Sequence, residues 1–300
     1  MTNEITVHTV SIPAGEIEIH EIGTGTPLVC LHGALVSWQI WEPIARPLAE
    51  RGYRVIMPSL PLGAHPTAMR PETDLTPPGL AQIIVDVIAA LDLPSVTTIS
   101  TDTATALTQL VLTLHPGVID RAVMTSGDAF RYFFPPMFRP LQGLGYAPWL
   151  LPHVAKGMKN RKLRESPFAL GWITKAGVSD ETAVAWGGPI VRDRGVRRDA
   201  AKMLRGIKTR HTMRAAKALP EVTVPVMLVW GEIDKAFPIK LARRLEALIP
   251  DCRVETVPDA ACFVSLDNPD ALVSLVQDFA PALPAGAGRT VGQTQAQDGR

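Results

Sequence analysis

Three hundred residues, 46% hydrophobic and 20% charged, suit one large domain or one domain with a substantial insertion, with enough apolar material for a sizeable core. No run approaches the roughly 18 apolar residues of a membrane helix, Met1 to Val10 lacks a cationic stretch followed by an apolar one, and Cys30, Cys252 and Cys262 are too few and too scattered for a disulfide framework or a zinc site; the chain is expected in the cytoplasm, with no membrane partner, metal or cofactor. The net charge of +1 hides an asymmetry, because residues 131–214 hold 17 Lys and Arg against 5 Asp and Glu, leaving 13 against 24 elsewhere.

Thr6 to Ile12 and Glu16 to Ile22 alternate apolar and polar residues around Pro13-Ala14-Gly15, which predicts an antiparallel hairpin. Pro27 to Leu31 is a short apolar strand ending at His32-Gly33, and Trp38 to Glu50 has helical spacing. Tyr53 to Leu60 reads as a strand, and Asp74 to Leu91 contains a helix entered through Thr76-Pro77-Pro78. Val96 to Thr105 then runs a β-branched strand directly into a helix, and Ile119 to Thr125 is the next strand. This alternation implies a parallel sheet wrapped by helices on both faces.

From Asp128 to about Pro220 the rhythm stops in favour of helical spacing broken by prolines. It returns with Val224 to Trp230, Pro238 to Leu248, Arg253 to Val257 and Asp270 to Phe279. The pattern predicts a core over 1–127 and 221–280, a helical cap over 128–220, and a disordered tail over 281–300, where Pro, Ala, Gly, Gln and Thr dominate. The basic excess falls in the cap. A solvated face explains it simply, and an anionic or carrier-protein-bound small-molecule substrate is the sharper alternative. Its cations are not interleaved with aromatics, which excludes a nucleic-acid module.

The centre of the chain is the strand-to-helix turn at Ser100-Thr101-Asp102-Thr103-Ala104. It has the form of an elbow that lifts the Asp102 side chain above the sheet beside helix-start N–H groups. The same stretch also suits an ordinary buried strand followed by a helix N-capped by Asp.

With the Leu31-His32-Gly33 turn, the elbow, the insertion after the sixth strand and Trp230-Gly231-Glu232-Ile233-Asp234 in this order, the chain resembles the α/β-hydrolase superfamily over roughly Thr6 to Ala280. The resemblance implies an eight-stranded, mostly parallel sheet with a helical cap after strand 6. An aspartate at the elbow is similar to the branch of epoxide hydrolases and haloalkane dehalogenases, with Ser100 and Ala104 where the elbow glycines usually stand. The resemblance further implies Asp102 as the reactive carboxylate, N–H groups of Ala34 and Thr103 as the anion site, His32 as part of the turn, and Asp234 as the acid that orients a histidine. Asp128 lies where some dehalogenases place that acid, and helix capping is its plainer role. The histidine's frame is intact in Asp259 to Pro269, but its position holds Cys262. A thiol has no second nitrogen with which to bond Asp234 while relaying a proton.

Of the seven histidines, His65 is the best placed to substitute, on a loop at the carboxyl end of the sheet, ahead of His153 and His211. Without an imidazolium, burial and neighbouring carboxylates raise the pKa of Asp102, which suits acid/base work in a reaction that consumes no water. His32, Asp128, Phe130, Tyr132, Trp149, Trp172, Trp186 and Phe263 are candidates for lining a substrate pocket that is apolar in the main. Two alternatives stand beside this: a hydrolase in which Asp102 attacks and His65 serves as base, and an inactive ligand-binding protein.

Overall fold

The computed structural model describes residues 4–93 and 95–283. The first hairpin is β1 (Thr6–Ile12) and β2 (Gly15–Ile22), paired antiparallel with Ile12 opposite Gly15. After β3 (Thr26–Leu31), a 3-10 turn over Trp38–Trp41 precedes α1 (Glu42–Glu50), because Pro43 sits in the first turn and starts a new helix there. There follow β4 (Tyr53–Pro58), α2 (Pro77–Ala90), β5 (Thr97–Asp102), α3 (Thr103–Leu114) and β6 (Arg121–Gly127).

Between β6 and β7 the chain is helical: 3-10 turns over Pro136–Tyr146 and Pro148–Leu150, then α4 (Leu151–Gly157), α5 (Arg161–Arg164), α6 (Asp180–Arg192), α7 (Arg194–Gly206) and α8 (Thr209–Ala218). Ser179 caps α6 by accepting from the Thr182 N–H, and Asp193 caps α7 by accepting from Gly195 and Val196. The strand expected from Val224 begins at Val226, since Pro225 has no N–H to give a ladder. After β7 (Val226–Gly231) come α9 (Lys240–Glu246), β8 (Cys252–Val257), α10 (Val264–Asp267) and α11 (Pro269–Phe279). Most of the tail expected over 281–300 lies outside the described residues.

The eight strands form one sheet in the order β1-β2-β4-β3-β5-β6-β7-β8, parallel from β4 to β8. β5 and β7 are buried along their whole length and lack the in-out alternation of β2, as expected of parallel strands covered on both faces. The site consequence is geometric. The carboxyl ends of β3, β5, β6 and β7 all open on one edge, under the helical β6–β7 segment.

Candidate active site

Asp102 is the last residue of β5, and its backbone takes φ +54° and ψ −125° to turn at once into α3. Such a conformation costs a non-glycine residue about 1–3 kcal/mol. Its neighbours make room for it. A Cβ on Gly33 would lie 2.1 Å from Asp102 Oδ2, and one on Gly127 would lie 2.4 Å from the Asp102 carbonyl oxygen. Ser100 and Ala104 are buried, and the glycines that leave Asp102 space follow β3 and end β6, the strands flanking β5. Both glycines are visible in the sequence. What the sequence lacks is the sheet order that brings them against Asp102.

The Ala34 N–H donates to Asp102 Oδ2 at 3.2 Å, and the Thr103 N–H also favours the anion. Burial outweighs both and, with the charge of Asp234, pushes Asp102 up to about 7. Two further carboxyls surround it. Asp128 donates its N–H to the Asp102 carbonyl at 3.1 Å and accepts the Thr103 hydroxyl at Oδ2 (3.2 Å), while its Oδ1 has no partner. Burial first, and then the Asp102 charge, raise it well above the usual carboxylate range.

Asp234 follows β7 in a turn pinned by Trp230, whose indole donates to the Phe237 carbonyl at 2.7 Å. Its Oδ1 accepts from the N–H groups of Ala236 and Phe237, each at 2.8 Å, and burial pushes it to about 7. Cys262 is fully buried, and its thiol donates to the Ser126 carbonyl at 3.2 Å. Burial and the charges of Asp234 and Asp102 raise it well above its ordinary value. The thiol is therefore neutral and directs its proton at a backbone carbonyl. Among the described residues no cation pairs with any of the three carboxyls, and no three of His, Cys, Asp and Glu are grouped to hold a metal ion.

Above Asp102 lies a cavity of about 180 Å³ between sheet edge and helical segment. Ala34, Leu35, Val36 and Phe263 form its floor, and Phe134, Phe138, Leu170, Ile173, Trp186 and Ile190 form walls. Leu151, Val154, Ala155 and Met158 complete it from one face of α4 and its C-terminus. That i, i+3, i+4, i+7 spacing was the signal available in the sequence, obscured by Pro148 and Pro152, of which Pro152 lies in the first turn of α4 rather than breaking it. Arg164 is the other ionisable lining residue. Its guanidinium donates to the Met158 carbonyl at 2.9 Å and to Asp180.

Trp186 and Phe263 both line the cavity, edge to face with centroids 6.5 Å apart. Several other expected positions are corrected. His32 does not line the cavity: its Nε2 accepts the Leu60 N–H at 2.9 Å and its Nδ1–H reaches the Gly33 carbonyl, while burial lowers its pKa to about 4, so it is a neutral brace of the turn. His65 is buried against Asp199 of α7, with Nε2 3.4 Å from Oδ2, and does not reach Asp102's cavity. Asp128 lies beneath the elbow rather than on the cavity wall. Phe130 packs under the Arg244 guanidinium at 3.9 Å, Tyr132 pairs with Ala129, Trp149 is 65% exposed, and Trp172 lines a separate groove. None of the seven histidines lines the cavity.

A family model described as alpha/beta hydrolase fold matches residues 26–269. The chain belongs to the α/β-hydrolase fold family. Uncharacterized proteins of Mycobacterium tuberculosis and Mycobacterium bovis are 24% identical to it over 273 residues, covering 86% of this chain and 76% of theirs. Among solved structures, the epoxide hydrolase CorEH superposes with a TM-score of 0.74 at 20% identity, covering 92% of this chain and 98% of that one. A haloalkane dehalogenase variant from Bradyrhizobium elkanii gives 0.74 at 19% identity, covering 92% and 96%. An esterase from Exiguobacterium antarcticum gives 0.70 at 18%, covering 91% and 99%. At these identities the likeness to the solved α/β-hydrolase structures is one of fold.

Proposed function

We propose that this α/β-hydrolase-fold protein is an enzyme in which Asp102 moves a proton on a small, largely apolar organic substrate, in a step that consumes no water, such as a cyclisation, elimination or rearrangement. The observation that carries this reading is the isolation of Asp102. It is the only carboxyl on a cavity wall that is apolar apart from the paired Arg164, and no imidazole lines that wall. Asp102 Oδ2 accepts the Ala34 N–H, and the residue lines the cavity. A carboxyl near pKa 7 is populated in both forms at neutral pH, where a general acid or base is most effective.

A hydrolytic cycle through an aspartyl ester needs a second group to activate water against that ester. Cys262 is a neutral thiol bonded to a carbonyl, and His65 is engaged with Asp199. Both facts count against hydrolysis by the usual route. The surplus of Lys and Arg between 131 and 214 contributes only Arg164 to the cavity wall, where it is already paired. This favours an apolar body for the substrate and leaves any anionic group outside the cavity.

A nitrobenzisoxazole tests the proposal, because a base that removes its acidic C–H proton breaks the ring N–O bond and releases a coloured phenolate without water. The expected result is catalysed ring opening that rises with pH through about 7 and falls about 10²–10⁴-fold in Asp102→Asn. Equal rates in both proteins would overturn the proposal. Intact mass measured after incubation with styrene oxide and a bromoalkane is expected to be unchanged. A persistent ester on Asp102 would instead establish the nucleophile reading, and tight binding of either compound without any turnover would favour the inactive binding protein.

A further inference from the structure

We infer that the face of the helical segment around α4 and α5 docks on an anionic lipid surface, and that the Asp102 cavity receives its substrate from there. Tyr146, Trp149, Leu150, Val154, Leu163 and Phe168 are 67%, 65%, 44%, 40%, 49% and 82% exposed. They make up half of the twelve large apolar side chains exposed on the described molecule, within 23 residues of chain. Scattered exposed hydrophobics are ordinary, whereas a concentration of this kind marks an interaction surface. Leu163 reaches α4, since a Cβ on Gly157 would lie 3.1 Å from its Cδ2. The patch therefore joins α4 and α5.

Two features select a lipid surface as the occupant. The first is charge. Residues 146–175 carry 6 Lys and Arg against 1 Glu, and Lys156, Lys159, Arg161 and Lys162 are exposed beside the apolar side chains. Aromatic and aliphatic side chains ringed by cations are the composition of a segment that lies in an anionic bilayer interface, each cation adding to the attraction. The second is continuity. Val154 and Phe168 belong both to the exposed patch and to the wall of the Asp102 cavity. Apolar side chains are thus shared between the solvent-exposed patch and the cavity that Asp102 lines.

This inference rests on the proposed apolar substrate, because such a molecule partitions into bilayers and is best collected there. No described helix is long and apolar enough to cross a membrane, and lying on a surface needs none. The expectation of no membrane partner is revised on this point alone.

Co-sedimentation of the full chain with vesicles of phosphatidylcholine, alone or with phosphatidylglycerol, tests the inference. Binding is expected to the mixed vesicles and to weaken with salt. Trp149→Ser with Leu163→Ser, and separately Lys156→Glu with Lys159→Glu and Lys162→Glu, are each expected to weaken it by about tenfold or more. These residues are exposed and lie outside the cavity wall, so ring opening of free nitrobenzisoxazole is expected to stay unchanged. Absence of binding to both vesicles overturns the inference, as does binding that neither set of substitutions alters. A concentration-dependent dimer abolished by Trp149→Ser would assign the face to a second copy of the chain and overturn it equally. Asp102→Asn is expected to bind vesicles like the wild type, so failure of the catalytic proposal leaves a separate trace.

Discussion

Asp102 and Asp199 are both buried carboxyls at the junction of the sheet and the helical segment, and their surroundings treat them in opposite ways. Burial works against the charge of Asp199 too, but His65, the Met69 N–H at 2.7 Å and Arg198 at 2.9 Å together hold it below its ordinary value. Asp102 has two N–H groups and no cation, and burial wins. The difference separates a structural joint from the carboxyl proposed to react. Asp199 ties α7 to the loop after β4, and the same residue type without compensation is left at about 7 beside an apolar cavity.

The largest effect is expected at the compensated carboxyl. Asp199→Ala leaves His65, Arg198 and the Met69 N–H without their acceptor, and a broken buried pair costs about 3–5 kcal/mol, read as a drop in the urea midpoint. Because the folded pKa is depressed, this stabilisation is present above the unfolded value near 4 and is lost as pH falls through the folded one. Asp102→Asn is expected to do the reverse. The folded pKa is raised from 3.8 to about 7, so between those values the folded state binds the extra proton and stability declines as pH rises. At pH 8 the substitution is expected to stabilise the chain by about 1–3 kcal/mol, part of the roughly 4 kcal/mol that such a shift represents. At pH 4 the gain should vanish. Destabilisation by Asp102→Asn at pH 8 would mean that the anion is compensated after all.

The contrast between the two carboxyls also marks how far the sequence can be read. The strands, the order of elements and the turn at Asp102 were legible because buried parallel strands and amphipathic helices write their periods into the chain. Asp234 and Cys262 were singled out through their sequence frames, and the structure brings both beside Asp102. His65 was misplaced because loop position says which edge of the sheet a residue meets, but not which partner claims it, and Asp199 lies 134 positions away. The aromatic candidates divided for the same reason. Trp186 and Trp149 have equal hydrophobic content, yet one packs on Phe263 and the other faces solvent. Rotation of a helix about its axis decides that, and in the proline-rich stretch before α6 the apolar period is too broken to fix it.

The finest distinction lies within the uncompensated cluster, where Asp234 and Asp128 both adjoin Asp102 but only Asp234 is among the charges that raise it. Asp234 titrates near 7 and its negative charge is among the causes that raise Asp102. Asp128 is raised well above the usual carboxylate range by burial and by the charge of Asp102, and its own charge is not among the causes that raise Asp102. Asn at position 234 keeps an oxygen for the N–H groups of Ala236 and Phe237 that Oδ1 now accepts, so the turn is expected to survive. Removing that charge should shift the pH midpoint of benzisoxazole opening downward, raising the rate at pH 6 by about two- to threefold. Asp128→Asn removes a carboxyl whose charge is not among the causes that raise Asp102, and is expected to leave the midpoint where it was. If the two substitutions shift it equally, the charge of Asp128 also acts on Asp102, and the distinction between the two neighbours fails.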